Sequence, residues 1–238
     1  MAVAALAIDY DVTDEELGVV SQEFETQSPE AVLRWAFAEF GPDVALATGF
    51  GAEGCVLVDM VARITKGARI FYLDTDLLFP ETYALRDQLA ARYDMRFERV
   101  ATRLSLSSQA AAFGERLWER EPDRCCHLRK LEPLRAVLSG LRAWITAIRR
   151  DQTQARAGAG IVERDQRFDL IKINPLAGWS TENVWQYIEQ YEVPYNPLYD
   201  HGYGSIGCAP CTSPVQIGED PRAGRWRGSC KTECGLHK

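Results

Sequence analysis

Residues 44–53 read VALATGFGAE, a short apolar run that opens into a turn with two glycines. The run from Val44 to Ala47 has the length and composition of a strand buried on both faces, and the apolar residues beyond the turn recur at helical spacing. Gly49 and Gly51 would let backbone N–H groups approach an anion at the start of that helix. The loop lacks the G-x-x-x-x-G-K-[ST] pattern of a Walker A motif, and a glycine turn after a strand is often only a turn.

The same alternation of apolar strands and helical spacing continues along the chain. Further strands are predicted at residues 70–73, 96–100 and 144–148. A helix is predicted to begin at Ser28-Pro29-Glu30. This order predicts an α/β fold with a parallel sheet covered on both faces. Polar clusters follow three of the strands, at residues 48–53, 74–76 and 149–152. Because ligands of such sheets bind beyond the carboxyl ends of the strands, these clusters predict the binding edge.

The two ends of the chain differ from this pattern. Residues 1–27 are acidic and weakly patterned, which predicts a mobile or peripheral N-terminal arm, and residues 28–217 form the predicted α/β domain. A helix capped by Ser180 and a Pro/Gly/Tyr-rich loop over residues 194–214 lie in the last part of that domain. Residues 218–238 are polar, basic and poor in apolar positions, which predicts a mobile C-terminal tail.

Composition narrows the class of protein. The chain has 238 residues, of which 46% are hydrophobic and 26% charged, and a formal net charge of −7. The acidic balance argues against nucleic-acid or membrane-surface binding, which need a basic footprint, although a small anionic ligand is allowed where positive charge is local. No apolar run reaches about 18 residues, and the acidic start lacks the basic region of a signal peptide. We therefore expect a cytoplasmic protein.

Seven cysteines stand at positions 55, 125, 126, 208, 211, 230 and 234. In a reducing compartment, metal binding or catalysis is more typical of such thiols than disulfide formation. Cys125-Cys126 and Cys208-x-x-Cys211 are two thiol pairs far apart in sequence, of the kind that metal sites use to join two segments. Adjacent cysteines diverge on a helix or strand, which suits the separate iron corners of a cubane better than one zinc ion. An iron–sulfur cluster, a zinc ion and unligated thiols all stay open at this point.

The end of the chain, KTECGLH at residues 231–237, places Cys234 near a lysine and a histidine. Nearby positive charge lowers a thiol pKa and favours the reactive thiolate, so Cys234 is a candidate nucleophile; the alternative is an incidental exposed cysteine. Several cations are candidates to bind phosphate or sulfate, for which arginine offers a planar donor fork. They are Lys130, Arg149, Arg150, Arg222, Arg225 and Arg227. His127 and His201 are interpreted as structural or surface residues.

In combination these motifs resemble the assimilatory adenosine 5′-phosphosulfate (APS) reductases of the sulfonucleotide reductase family. The resemblance rests on ECGLH at 233–237, the two cysteine pairs, the loop at 49–53, YLDT at 72–75 and the segment from Trp144 to Arg150. It covers residues 40–238, and the combination is far more specific than the glycine loop alone. It implies an α/β, parallel-sheet fold of the adenine nucleotide α-hydrolase-like (PP-loop) type, with a catalytic tail at 218–238.

The resemblance also implies an activity. Cys234 would attack the sulfur of APS and expel AMP, leaving a cysteine S-sulfonate, and thioredoxin would then release sulfite through a mixed disulfide. Two displacement steps of this kind agree with the chemistry of a thiolate nucleophile. The implied role is APS reduction in sulfate assimilation and cysteine biosynthesis, with thioredoxin as the reductant. Self-association into a homo-oligomer is left open.

The resemblance assigns site residues by their positions in the motifs. Cys125, Cys126, Cys208 and Cys211 would hold a [4Fe–4S] cluster. Lys130 would link the cluster to the substrate, Arg222 and Arg225 would hold the phosphosulfate, and His237 would lie near the nucleophile. The implied nucleotide contacts are Thr48, Gly49, Phe50, Leu73, Thr75 and Arg149.

Some features depart from the family pattern. Serine is frequent where Gly49 stands, and extra tryptophans often follow the position of Trp226, where this chain has Arg227-Gly228. Cys230 lies outside the motif and is interpreted as a bystander thiol; the alternative is that it condenses with an oxidised Cys234.

Three alternatives stay open. The 3′-phosphorylated nucleotide (PAPS), alone or beside APS, is the alternative substrate, although members restricted to PAPS generally lack the four cysteines. An ATP pyrophosphatase of the same fold would carry S-G-G-x-D in its first loop, and residues 48–53 lack it. The non-enzymatic alternative is a zinc-stapled interaction protein.

Overall fold

A six-stranded sheet organises the computed structural model, which describes residues 12–236. The strands are β1 (Val44–Ala47), β2 (Ile70–Asp74), β3 (Phe97–Ala101), β4 (Ala143–Ile145), β5 (Val162–Asp165) and β6 (Leu170–Ile173). Their order in the sheet is β3-β2-β1-β4-β6-β5. β1 pairs in parallel with β2 and β4, and β4 pairs in parallel with β6, whereas β5 is antiparallel to β6. The predicted α/β class with a largely parallel sheet is confirmed.

The helices begin where the sequence supplies capping residues. The α-helices are α1 (Asp14–Phe24), α2 (Pro29–Phe40), α3 (Ala52–Ile64), α4 (Pro80–Tyr93), α5 (Leu106–Phe113), α6 (Leu117–Arg120), α7 (Pro122–Cys126), α8 (Glu132–Leu138) and α9 (Thr181–Tyr191). The Ser28 and Ser180 side chains accept hydrogen bonds from the backbone of the first turns of α2 and α9, as predicted. A five-residue π-helix, His127–Leu131, joins α7 directly to α8.

The chain divides into two compact units. The first comprises Met1–Thr48, Ala52–Phe71 and Leu138–Val193, and the second comprises Gly49–Gly51, Tyr72–Val137 and Pro194–Lys238. The sequence instead predicts an arm, one domain and a tail, with boundaries after residues 27 and 217. This division stays a prediction.

Two-sided burial explains the apolar strands of the first unit. Leu46 of β1 is paired with Ile70 of β2 and Ile145 of β4, and all three side chains are buried. A fully buried aliphatic side chain contributes about 1.5–3 kcal/mol relative to an exposed one. In the same unit α3 packs on α9, where the buried carboxylate of Asp59 accepts a hydrogen bond from the Tyr187 hydroxyl at 2.7 Å.

In the second unit, ion pairs and hydrogen bonds fix the end of β2. Asp74 accepts hydrogen bonds from the Tyr83 hydroxyl at 2.7 Å and from Arg99 Nε at 2.5 Å. Burial opposes ionisation of Asp74, but these hydrogen bonds hold the pKa of its carboxyl below the usual value. Asp76 follows in a left-handed backbone conformation and pairs with Arg99 at 2.8 Å and Arg129 at 3.1 Å.

Residues 12–27 of the predicted mobile or peripheral arm contain a helix that was not predicted from the sequence. α1 lies there, with a capping box formed by Thr13 and Glu16, and it packs against β5. Its buried residues are Leu17, Val20, Ser21 and Phe24. They recur at the helical positions i, i+3, i+4 and i+7, a pattern that the surrounding acidic residues obscure.

β5 and β6 were not predicted from the sequence because polar residues interrupt them. Lys172 stands in the middle of β6 and is buried, and Glu163 stands opposite it on β5. The ammonium and carboxylate groups form an ion pair at 2.9 Å. A cross-strand pair of opposite charges is compatible with a strand, although each charge alone argues against one.

The described part of the predicted C-terminal tail makes close backbone contacts with the preceding loop. A Cβ atom at Gly204 would lie 2.5 Å from the carbonyl oxygen of Pro221, and one at Gly224 would overlap the carbonyl oxygen of Ser213. Ser213 N–H also donates to the carbonyl oxygen of Gly224 at 2.9 Å. Glycine therefore allows a close backbone approach that compensates for the shortage of apolar side chains.

None of the helices within residues 12–236 is both long enough and apolar enough to cross a membrane.

Replacing Ser21 by alanine is expected to destabilise the protein. The Ser21 oxygen accepts hydrogen bonds from the N–H groups of Ile161 at 2.8 Å and Val162 at 3.3 Å, and the substitution leaves both buried donors without it. The expected loss is about 1–3 kcal/mol in the free energy of unfolding by urea. Val19→Ala, on the exposed face of the same helix, is the control and should change it by less than about 0.5 kcal/mol. Equal stability of the S21A and V19A variants would contradict the packed role of α1.

Candidate active site

Four thiols of the second unit line one cavity. Cys125 and Cys126 end α7, and Cys208 and Cys211 lie at a short 3-10 turn. The space between the lining atoms is about 310 Å³, including its opening to solvent. The other lining residues are Thr75, Leu77, Trp118, Pro122, Arg129, Lys130 and Trp226. The structure thus brings together two cysteine pairs that are far apart in the sequence.

Backbone hydrogen bonds hold the Cys208–Cys211 turn from two directions. The N–H that follows Cys208 donates to the carbonyl oxygen of Leu77 at 2.7 Å, and the N–H of Trp226 donates to that of Cys211 at 2.9 Å. The hydroxyl of Thr75 lies 3.2 Å from the sulfur of Cys208, in a hydrogen bond that either group can donate. Thr75 was predicted as a nucleotide contact, whereas its buried hydroxyl is directed at a cysteine.

Arg129 fastens the cysteine-bearing helix to the end of β2. Its guanidinium group is buried and donates to the carbonyl oxygens of Thr75 at 2.9 Å and Leu104 at 3.1 Å. It also donates to the side chain of Gln109 at 2.7 Å and pairs with Asp76 at 3.1 Å. These partners leave Arg129 little freedom to reach a ligand, so its role is to position its neighbours.

Sequence reasoning missed Arg129, although a signal existed. Arg129 follows Cys125 by four residues, as Lys130 follows Cys126, so one helical turn would carry both cysteines and both cations on adjoining positions. The turn is a π-helix in the structure, a form that often marks functional sites.

Lys130 is the buried cation of the cavity. It is only 9% exposed, and no carboxylate within residues 12–236 lies at ion-pair distance from its ammonium group. Burial disfavours the charged form, but the thiols of Cys208, Cys234 and Cys126 outweigh this effect and raise the pKa of Lys130. A buried ammonium group without a carboxylate needs another anion. Thiolates and an anionic ligand are the candidates.

The cavity thiols resist ionisation on their own. Burial, with repulsion between neighbouring thiolates, raises the pKa of Cys125 to about 11 and that of Cys211 to about 12. Burial also raises the pKa of Cys126. Such thiols stay neutral near pH 7 unless a metal deprotonates them, as metals do with thiol ligands.

Cys234 has the opposite tendency. Burial opposes ionisation of its thiol, but three groups together hold the pKa of Cys234 below the usual thiol range. They are the ammonium of Lys130, the backbone N–H of Leu236 and the guanidinium of Arg225. Glu233 acts in the other direction. Cys234 therefore forms a thiolate more readily than an ordinary cysteine, which is the property required of the predicted nucleophile.

Arg222 makes its contacts within the tail itself. It donates to the carbonyl oxygen of Thr232 at 3.1 Å and to the carboxylate of Glu233 at 3.2 Å, and Glu233 is buried. The prediction that Arg222 holds the phosphosulfate is untested, and a substrate would have to share or replace this carboxylate.

The guanidinium group of Arg225 is one of the charges that lower the pKa of Cys234. Its guanidinium carbon lies 4.5 Å from the centre of the Trp226 ring, and one of its nitrogens donates to Ser205 at 3.3 Å. Its Nε is buried and lacks a hydrogen-bond partner in the described part of the chain. A buried donor of this kind is available to an anionic ligand.

The predicted nucleotide contacts are divided between the units. Thr48 and Arg149 belong to the first unit, and Gly49, Phe50 and Leu73 to the second. The roles of these residues stay predictions. His237 lies outside the residues that the structure describes.

Phe50 and Gly49 differ in what they can offer a ligand. The Phe50 ring is 1% exposed and packs on Tyr72 and Phe97, with ring centres 5.4 Å and 5.2 Å away, so only its backbone is left for a nucleotide. A Cβ atom at Gly49 would meet no other heavy atom within 4 Å. The serine frequent at this position in the family would therefore fit here.

Arg149 is buried and paired in the structure. It forms ion pairs with Glu53 at 3.1 Å and Asp151 at 3.2 Å, and it donates to the Thr181 hydroxyl at 3.1 Å. A role for Arg149 toward the nucleotide would need some of these bonds to be shared.

The thiol cavity contains the four donor groups that a [4Fe–4S] cluster would need. Across residues 12–236, no three His, Cys, Asp or Glu side chains converge on one point that could bind a metal ion. A [4Fe–4S] cluster binds each thiolate at a different iron, so its ligands need not converge. The Nε1 atoms of Trp118 and Trp226 are buried without an acceptor in this part of the chain, and both residues line the cavity. Cluster sulfurs accept such hydrogen bonds.

Comparisons with known proteins agree with the family that the sequence motifs resemble. The α/β fold and the lowered pKa of Cys234 fit the class of enzymes that act through a reactive thiol. The sequence profile of the phosphoadenosine phosphosulfate reductase domain matches residues 43–214. The adenosine 5′-phosphosulfate reductase of Salinibacter ruber is 50% identical over 93% of this chain and 88% of that protein. The phosphoadenosine 5′-phosphosulfate reductase of Gloeobacter violaceus is 46% identical over 92% of each chain.

A solved structure extends the likeness to three dimensions. The phosphoadenylyl-sulfate (PAPS) reductase of Candida auris has a TM-score of 0.76 at 33% identity, covering 88% of this chain and 100% of that one. The FMN adenylyltransferase of Candida glabrata, at 17% identity and a TM-score of 0.58 over 88% of this chain and 67% of that one, shares the fold alone. The chain belongs to the phosphoadenosine phosphosulfate reductase family. The predicted family is confirmed.

Replacing Lys130 by methionine is expected to raise the pKa of Cys234, because the substitution removes the main positive charge that favours the thiolate. The rate of Cys234 alkylation by iodoacetamide rises with pH as the thiolate forms, so the pH at which the rate is half-maximal should be higher in K130M than in the wild type. Peptide mass spectrometry separates Cys234 from Cys230. Lys66→Met, which removes an exposed charge in the first unit, should keep the original profile. An unshifted K130M profile would show that Lys130 does not act on this thiol.

Proposed function

We propose that the protein reduces adenosine 5′-phosphosulfate to sulfite and AMP, with Cys234 as the nucleophile. The observation that carries the proposal is the lowered pKa of Cys234 close to the buried ammonium group of Lys130. The family match and the relatives named adenosine 5′-phosphosulfate reductase support the class of nucleotide. The role that follows is in sulfate assimilation and cysteine biosynthesis, in a reducing compartment such as the cytoplasm, where free thiols persist.

The first step is a displacement at sulfur. The Cys234 thiolate attacks the sulfur of the sulfo group. A bond forms between Cys234 Sγ and this sulfur, and the bond between this sulfur and the oxygen that bridges it to phosphorus breaks. The electron pair of the broken bond leaves with AMP, and Cys234 carries an S-sulfonate. Arg222 and Arg225 would bind the anionic oxygens through their planar donor forks, and Lys130 would balance the charge at the reacting thiolate.

The second step needs a dithiol reductant, which we propose to be thioredoxin. One thioredoxin thiolate attacks the sulfur of Cys234, and sulfite leaves with the electron pair of the broken sulfur–sulfur bond. The second thioredoxin thiol then attacks the thioredoxin sulfur of the mixed disulfide, which frees the Cys234 thiolate. The two electrons from the dithiol are thus carried by sulfite, and thioredoxin leaves oxidised.

We also propose that Cys125, Cys126, Cys208 and Cys211 hold a [4Fe–4S] cluster. Their thiols line one cavity, need a metal to ionise near pH 7, and are accompanied by buried indole N–H groups that lack acceptors. When bound, such a cluster would supply electrostatic and structural support at the sulfate end of the site rather than the electrons for the reaction. Lys130 would then lie between the cluster and the substrate anion.

PAPS, alone or together with APS, is the alternative substrate. A relative named phosphoadenosine 5′-phosphosulfate reductase is 46% identical to this chain, so the comparisons include both kinds of name. A 3′-phosphate needs an additional cation in the nucleotide site. Comparison of turnover with APS and PAPS under the same conditions separates the two proposals. Thr48, Gly49, Phe50, Leu73, Thr75, Arg149 and His237 stay proposed contacts of the nucleotide or nucleophile.

Replacing Cys234 by serine is expected to abolish sulfite production, because a serine hydroxyl does not ionise near pH 7 and cannot carry the S-sulfonate. Binding of the nucleotide, measured by calorimetry with AMP, and metal content should stay close to those of the wild type. Cys230→Ser is the matched control in the same tail and should retain sulfite production. Turnover by C234S at the wild-type rate would remove Cys234 as the nucleophile.

Protein purified without oxygen is expected to be brown and to contain iron and acid-labile sulfide in equal amounts. Cys126→Ser should lose most of both, since one corner of the cluster loses its thiolate, while Cys230→Ser should retain them. Metal analysis and the visible absorption spectrum give the readout. Zinc in place of iron in the wild-type protein would contradict the cluster.

A further inference from the structure

The segment that carries Cys234 is tied to the start of α7 by an ion pair. The ammonium of Lys231 pairs with the carboxylate of Asp123, which lies two residues before Cys125. The same ammonium lies 5.3 Å from the centre of the Trp226 ring, close enough for a cation–π interaction. The Lys231 side chain is 6% exposed and that of Asp123 is 85% exposed. The lysine stem is therefore covered by protein, whereas its partner stands at the surface.

This contact connects the segment that carries Cys234 with the helix α7. Lys231 precedes Cys234 by three residues, and α7 carries two of the cavity thiols. The contact therefore joins the segment of the nucleophile to the helix that carries two of the cavity thiols.

The two half-reactions make opposite demands on this segment. Sulfo transfer needs Cys234 close to Lys130 and Arg225, the cations that favour its thiolate. Reduction needs a second protein to bring its own thiol against the sulfur of Cys234, which is partly buried in this structure. An ion pair with one exposed partner is weak, and it can therefore hold the segment without preventing its release.

We propose that Lys231 is a positioning residue that, with Asp123 and Trp226, latches the tail in place for sulfo transfer and must release for reduction. This proposal rests on the proposed function. Loss of the latch slows the first half-reaction and does not slow the second, whereas a merely structural defect would slow both.

The test measures the two half-reactions separately on the holoprotein. Formation of the Cys234 S-sulfonate with APS and no reductant is followed by peptide mass spectrometry, and sulfite release is followed after thioredoxin is added to preformed S-sulfonate. Asp123→Asn should slow formation by about three- to fivefold, the scale of one partly exposed ion pair. Lys231→Met should slow it by up to about tenfold, because the cation–π contact is lost as well. Sulfite release should be as fast as in the wild type, or faster, in both variants.

The double variant D123N/K231M should be no slower than K231M alone, since the two residues act through one contact. Glu121→Gln is the matched control: it removes the carboxylate that precedes α7 and pairs with Arg124, not with the tail. It should leave both half-reactions unchanged. Multiplied effects in the double variant, or slower sulfite release in D123N and K231M, would overturn the latch.

Hydrogen exchange tests the latch independently of the chemistry. The peptide that covers residues 228–236 should exchange faster in D123N and K231M than in the wild type or E121Q. Unchanged exchange would overturn the latch. If the wild-type protein forms no S-sulfonate at all, the proposed function fails, and the exchange measurement alone then decides whether the latch exists.

Discussion

The site depends on a buried ammonium group that has no carboxylate partner in the described part of the chain. An unpaired buried charge costs several kcal/mol, so the surroundings of Lys130 must offer other anions. The thiols of Cys126, Cys208 and Cys234 favour its charged form, and the same charge favours the thiolates of Cys126 and Cys234. One lysine therefore serves two kinds of thiol: those proposed to bind iron and the one proposed to attack sulfur. Arg129, locked to β2 and its neighbours, keeps this lysine and the cysteines on one rigid turn.

Much of the fold was predictable because its central strands are buried on both faces. Short, near-continuous apolar runs at β1, β2 and β4, separated by segments with helical spacing, are typical of the buried strands of a parallel sheet. β5 and β6 were missed because each carries a charged residue, Glu163 and Lys172. These two residues pair with each other across the strands, and that pairing is visible only in the folded structure. α1 was missed because its acidic residues obscured an apolar face of helical period. The tail itself was predicted, but its close contacts were not, because they involve the backbone at glycines rather than apolar side chains.

The site was predictable as far as residue types and motif spacing determine chemistry. Paired cysteines indicated a metal, and a terminal cysteine near cations indicated a nucleophile; the structure brings the paired cysteines to one cavity and lowers the pKa of the terminal one. The direction of individual side chains was not predictable. Phe50 turns into the core, Thr75 faces Cys208, and Arg222 pairs with Glu233 in its own tail. These directions are set by packing between distant segments, which no local pattern records.

The central claim is that the terminal thiolate takes a sulfo group from a nucleotide. The most direct measurement is the mass of the whole protein, and then of the Cys234 peptide, after exposure to APS without any reductant. We expect the protein to gain the mass of one sulfo group, located on Cys234. Addition of thioredoxin should remove this group and release an equal amount of sulfite. An unmodified Cys234 in protein that makes sulfite, or a sulfo group on Cys230 instead, would contradict it.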